Sequence, residues 1–185
     1  VLTGQRRVGK SFLLYQLIEE ILAEEPDANI IYVNLEDFTF SSLQTAEDLH
    51  SYIISHSKEK VKNYIFIDEI QDIPGFEKVI RSLLLNEDND IYITGSNAKM
   101  LSGELATYLS GRYIEFKIYS LSYSEFLEFH GLTESETSYE LYSRYGGLPY
   151  LLNLPLEDET VNEYLKSVYS TIVFRDVVSL SLIHI

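Results

Sequence analysis

The sequence predicts an α/β fold: a parallel sheet covered by helices on both faces, followed by a smaller helical region. Three observations predict it. Short runs that are apolar at almost every position alternate with longer segments whose apolar residues recur at helical spacing. A Gly-rich loop, Gly4-Gln5-Arg6-Arg7-Val8-Gly9-Lys10-Ser11, stands between the first such run and the first helical segment. After about Leu121 the strand-like runs stop, and only helical patterns follow.

The elements follow in order. Val1-Leu2-Thr3 reads as the end of a strand. A helix over 10–24 places Leu14, Leu17, Ile18, Ile21 and Leu22 on one face. A strand over 30–35 and a helix over 43–57 come next. Tyr64-Ile65-Phe66-Ile67 is apolar on both faces, as a buried strand requires. Phe76, Val79, Ile80, Leu83 and Leu84 mark a third helix. A polar turn over 86–90 leads to the strand Ile91-Tyr92-Ile93-Thr94, a helix over 99–109 and a fifth strand over 113–118. Helices are expected over 124–129, 138–145 and 161–177, with Gly146-Gly147-Leu148-Pro149 separating the last two. The boundary falls near residue 120, giving a core of 1–120 and a helical lid of 121–185.

The chain has 185 residues, 45% of them hydrophobic, which supports a packed core and excludes a disordered chain. Its formal net charge of −15 argues against a broad nucleic-acid footprint, which needs clustered Lys and Arg. Direct nucleic-acid binding by this chain is therefore not expected. With no cysteine, disulfides, thiolate zinc sites and thiol nucleophiles are excluded, which suits a reducing cytoplasm. No apolar run reaches membrane-spanning length. The chain opens without Met inside a strand and closes on an uncapped apolar stretch, so it reads as part of a longer protein.

The loop from Gly4 to Ser11 fits the pattern G-x-x-x-x-G-K-[ST] at every specified position. Glycine lets the backbone wrap a triphosphate closely, with N–H groups pointing at its oxygens. Lys10 reaches the β- and γ-phosphates, and the Ser11 hydroxyl holds Mg²⁺. The helix that follows adds the positive end of its dipole. The candidate nucleotide-binding set is Gly4, Gln5, Arg6, Arg7, Val8, Gly9, Lys10, Ser11 and the adjoining Phe12, with Pro149 from the lid.

A second constellation is Tyr64-Ile65-Phe66-Ile67-Asp68-Glu69, a buried strand ending in two carboxylates. This is the form of a Walker B motif: Asp68 orients Mg²⁺, and Glu69 polarises the attacking water as general base. Taken alone, it could also be a strand ending in a solvated acidic turn. Parallel sheets place ligands at the carboxyl ends of their strands, so both motifs open on one edge.

Smaller signals keep two readings each. In Thr94-Gly95-Ser96-Asn97, Asn97 or Ser96 could sense the γ-phosphate or could cap a helix. Arg112 could act as an arginine finger on a neighbouring subunit's transition state, which implies a homo-oligomer, or could be a paired surface arginine. Gly146-Gly147-Leu148-Pro149 could be a helix stop or a lid contact to the base. His50, His56, His130 and His184 lack metal-ligand spacing and read as structural.

The strand between the two motifs and the Asp68–Glu69 pair resemble the additional-strand, catalytic-glutamate division of P-loop NTPases. More closely, the loop, Phe66-Ile67-Asp68-Glu69-Ile70-Gln71, Thr94-Gly95-Ser96-Asn97, Leu109-Ser110-Gly111-Arg112, Tyr123-Ser124-Glu125-Phe126 and Gly146-Gly147-Leu148-Pro149 follow one pattern. It is similar to that of prokaryotic AAA-type ATPases that often carry a C-terminal winged helix and a nuclease-like domain. That group's Pro-Leu-Ser after strand five is here Ser120-Leu121-Ser122, which alters the turn. The resemblance implies a five-stranded sheet of order 5-1-4-3-2 with a helical lid, ATP rather than GTP as nucleotide, and Mg²⁺-dependent hydrolysis coupled to a C-terminal domain. Two other functions stand beside it: a STAND-like nucleotide switch with little turnover, and a DNA-associated ATPase whose basic surface lies elsewhere.

Overall fold

The computed structural model describes residues 1–96, 109 and 111–174. The chain forms two compact units. One comprises Val1–Gln5 and Lys10–Ile118; the other gathers Arg6–Gly9 with the described residues from Tyr119 onward.

The first unit contains β1 (Leu2–Gly4), α1 (Lys10–Glu24), β2 (Asn29–Asn34), α2 (Ala46–His56), β3 (Asn63–Asp68), α3 (Phe76–Leu83), β4 (Asn89–Ser96) and β5 (Phe116–Lys117). The strands form one parallel sheet of order β2-β3-β4-β1-β5. Read from the other edge this is 5-1-4-3-2, as the resemblance implies. Side chains alternate across each strand, so the two faces gather different partners. Leu2, Tyr64 and Phe66 pack with Leu14, Leu13, Leu17, Ile18 and Ile21 of α1. Ile31, Val33, Ile65, Ile67 and Ile93 pack on the other face with Leu49 and Ile53 of α2 and with Val79, Ile80 and Leu83 of α3. Every residue of β3 is buried. Each such Leu, Ile or Phe contributes about 1.5–3 kcal/mol, so this interior strand is held from both sides.

The boundaries depart from the sequence expectation where local chemistry decides them. The second helix begins at Ala46, three residues later than its apolar pattern, because Thr45 and Asp48 form a reciprocal cap. The fifth strand spans only Phe116–Lys117, since its ladder pairs with Leu2 and Thr3 alone. The helix expected over 99–109 lies outside the described residues, apart from Leu109.

The second unit contains α4 (Tyr123–His130), α5 (Glu136–Tyr145) and α6 (Asp158–Ile172). Ser122 and Ser135 cap the first two through reciprocal boxes. Ser122 is the last residue of the altered Ser120-Leu121-Ser122 turn. Phe126, Tyr145, Leu148, Leu151, Val161 and Val168 are buried. Gly146, at φ 76°, ends α5. Gly147 is required for a different reason. The Leu121 N–H donates to its carbonyl at 2.8 Å, and a Cβ there would lie 2.1 Å from the Leu121 carbonyl oxygen. Gly147→Ala is expected to destabilise this unit by about 1–3 kcal/mol, because both clashing partners are backbone. A thermal melt checks it; an unchanged midpoint would show that the two segments part freely.

Among the described residues, no helix is long and apolar enough to cross a membrane.

Candidate nucleotide-binding site

The site grows from the carboxyl ends of β1, β3 and β4. Leu2 pairs with Thr94, and Gly4 with Ser96. Asp68 lies one step beyond the Ile67–Ile93 pair, in the row of Thr94 and Leu2. The loop after Gly4 therefore leaves the sheet on the same edge as Asp68, two strand spacings (about 10 Å) across from β3 and two residues beyond the Asp68 row.

In the loop, Arg7 has φ 67° and Gly9 has φ 98°, both left-handed. Alternating backbone of this kind turns successive N–H groups inward and forms an anion-binding concavity. The Lys10 amine is buried within its own loop and donates to the carbonyls of Gly4 at 3.1 Å and Gln5 at 3.0 Å. α1 starts at Lys10 with no acidic residue in its first turn, so no side-chain anion of the helix competes for its amides. Ser11 lies in that first turn, whereas Phe12 is 64% exposed.

Arg6, Arg7, Val8 and Gly9 belong to the helical unit, and Val8 is buried there. The Arg7 guanidinium stands 5.7 Å from the ring centroid of Tyr164 on α6. Pro149, first residue of the 3₁₀ turn Pro149–Asn153, places its Cγ 3.9 Å from where a Cβ on Gly9 would stand.

Asp68 and Glu69 are both buried, so each carboxylate needs donors. Asp68 shares the face of Phe66, toward α1. It accepts a short hydrogen bond from the Thr94 hydroxyl. The same hydroxyl accepts from the Glu69 N–H at 3.1 Å. Glu69 itself has φ 56° and ψ 44°, a left-handed conformation disfavoured for non-glycine residues by about 1–2 kcal/mol. Its carboxylate accepts from the Gln71 side-chain amide. Tyr32 adds a phenol to this face. Burial, a 3.1 Å hydrogen bond to the Tyr15 hydroxyl and the charge of Asp68 push that phenol far above its usual range.

The donor set fits a magnesium nucleotide: a serine hydroxyl, a buried carboxylate and a loop of inward amides are hard oxygen ligands and anion donors. Among the described residues, no group of three or more His, Cys, Asp or Glu could hold a metal by itself. A cation here would share its shell with phosphate oxygens and water.

The structure brings Gly4, Gln5, Lys10, Ser11, Asp68 and Glu69 to one sheet edge. Arg112 is not among them. It is exposed and lines a groove with Val1, Asn89 and Asp90, where β1 and β4 begin. Asn97 and the side chain of Ser96 lie outside the described residues. Sequence reasoning passed over Thr94, Tyr32 and Gln71. For Thr94 the signal was available: a polar residue in a buried strand, in register with the acid on its neighbour. Thr94→Val keeps the shape and removes the hydroxyl that accepts from the buried Glu69 N–H and donates to Asp68. It is expected to lower unfolding stability by about 1–3 kcal/mol. Urea denaturation reads this, and a wild-type midpoint would show the bridge to be dispensable.

Comparison with known proteins agrees with this architecture. A family model described as AAA domain matches residues 1–127. An uncharacterised protein of Haemophilus influenzae is 40% identical over 189 residues, covering 96% of this chain and 45% of that protein. An uncharacterised protein of Methanocaldococcus jannaschii is 32% identical over 191 residues, covering 96% of this chain and 41% of that protein. The chain thus spans less than half the length of these relatives. Among solved structures, the Walker-type ATPase of Pyrococcus abyssi superposes with a TM-score of 0.61 at 16% identity, covering 99% of this chain and 70% of that one. Cdc6p of Pyrobaculum aerophilum gives 0.55 at 13% identity, covering 91% and 54%. These two likenesses show the fold alone. From its match to the family model over most of its length, this chain belongs to the AAA domain family.

Proposed function

We propose that this domain binds ATP with Mg²⁺ and hydrolyses it to ADP and phosphate in the cytoplasm, driving a C-terminal domain or a partner protein. One observation carries the reading: the buried Lys10 amine sits in a left-handed loop on the same sheet edge as the Asp68–Glu69 pair. Lys10 and the amides of Gly4 to Gly9 hold the β- and γ-phosphates. Ser11 and Asp68 would hold Mg²⁺, which supplies charge neutralisation at the phosphate oxygens. Glu69 orients a water and takes its proton as the oxygen approaches the γ-phosphorus. In this reading Asn97, outside the described residues, takes the sensor role, and Pro149 the role of lid residue for the base. Arg112 lies where β1 and β4 begin, so its role in catalysis is in trans, in a homo-oligomer.

A nucleotide-dependent switch is the second reading, favoured by one observation. Arg6–Gly9 cluster with the helical unit, and Arg7 lies over Tyr164 of α6. A loop that rearranges around phosphate would alter that contact. Phosphate release and nucleotide binding by the full-length protein separate the two. Multiple turnovers that need Glu69 support hydrolysis; one tightly held nucleotide with negligible turnover supports the switch.

A further inference from the structure

Two residues beyond Glu69 stands Gln71, in the 3₁₀ turn Ile70–Asp72 that carries the chain away from β3. It is only 9% exposed, and its neighbours Ile70 and Ile73 belong to the core beneath the sheet. Its Nε2 donates to Oε2 of Glu69. An ionised carboxylate only accepts, so the contacting atom has to be the amide nitrogen and the orientation of the amide is fixed. The other end of that amide, Oε1, is buried and has no hydrogen-bond partner among the described residues. Buried carbonyl oxygens are rarely left so. Glu69 is meanwhile held in left-handed backbone by its N–H bond to Thr94. Strain kept at a carboxylate that Thr94 and Gln71 hold in place is the mark of a functional position.

We infer that Gln71 is a positioning residue of Glu69: its amide nitrogen fixes the carboxylate that orients the attacking water. This rests on the hydrolysis reading above. A water that donates an O–H to the fixed Glu69 carboxylate has a lone pair aimed at phosphorus. As its oxygen bonds to the γ-phosphorus, the bond from that phosphorus to the bridging oxygen breaks. ADP leaves with the electron pair, and the water's proton passes to Glu69.

The test is Gln71→Met in the full-length protein, which keeps an unbranched chain of similar length and removes both hydrogen-bonding ends. At saturating ATP, turnover is expected to fall at least about tenfold, while the affinity for a fluorescent ATP analogue stays within about twofold. A merely structural role would lower the melting temperature and nucleotide affinity together with turnover. A readout without nucleotide, independent of the variant's folding, is the Gln71 side-chain amide in NMR spectra of the wild type. It is expected to exchange slowly with solvent and to shift in Glu69→Ala. Wild-type turnover in Gln71→Met, or a Gln71 amide that exchanges as freely as an exposed one, would overturn the inference. Undiminished turnover in Glu69→Gln would instead overturn the hydrolysis reading itself. An inactive Glu69→Gln beside an unaffected Gln71→Met overturns only the role given to Gln71.

Discussion

Glu69→Gln is expected to lower ATP turnover by about a hundredfold to ten-thousandfold, the range for losing a positioned general base. ATP affinity is expected to stay within about twofold, because the substitution removes an interaction made with the attacking water rather than with the nucleotide. The variant is a clean probe here for a structural reason. A glutamine at 69 still presents an oxygen that accepts from the Gln71 amide, and the backbone bond to Thr94 is untouched. Local geometry is thereby retained while proton acceptance is lost. Steady-state phosphate release and titration with a fluorescent nucleotide read the two quantities separately. Equal turnover in the variant and the wild type would remove Glu69 from the mechanism.

Lys10→Ala is expected to weaken ATP binding by about ten- to a hundredfold, with turnover lost at ordinary ATP concentrations. A charge-assisted hydrogen bond to phosphate contributes about 1.5–3 kcal/mol, and each 1.4 kcal/mol is a factor of ten. Here the amine also ties the carbonyls of Gly4 and Gln5 at 3.1 and 3.0 Å, so its removal loosens the loop's own fold. The affinity loss then combines a missing cation with a less organised cradle. Calorimetric titration of ATP measures it, and a thermal melt of the nucleotide-free variant shows how much belongs to the loop. Undiminished affinity in a folded variant would mean that the phosphates are held elsewhere.

The layout of the sheet was legible because each strand of the core is apolar on both faces and each helix on one. Tyr64 to Ile67 could only be a buried parallel strand, and the structure buries every one of those residues. The pattern of the Gly4–Ser11 loop was legible because it is local, with glycine at a left-handed position and lysine opening the following helix. The bonds around Asp68 and Glu69 were not. Thr94 reaches Asp68 from another strand, and Gln71 reaches back to Glu69 from a 3₁₀ turn whose periodicity no pattern reports. Arg7 was legible as a loop arginine, but not as the partner of a tyrosine on α6.

The sequence by itself determined the alternation of strands and helices, the glycine–lysine–serine loop after β1 and the two acids at the end of β3. Each depends on neighbours along the chain or on a fixed period, which is why it can be read in one dimension. Tertiary structure alone decided that Thr94 bridges Asp68 and the Glu69 amide, and that Arg112 stands at the other end of β1 and β4. Those outcomes depend on strand order and register, which follow from the burial of whole faces and are not encoded in any single segment.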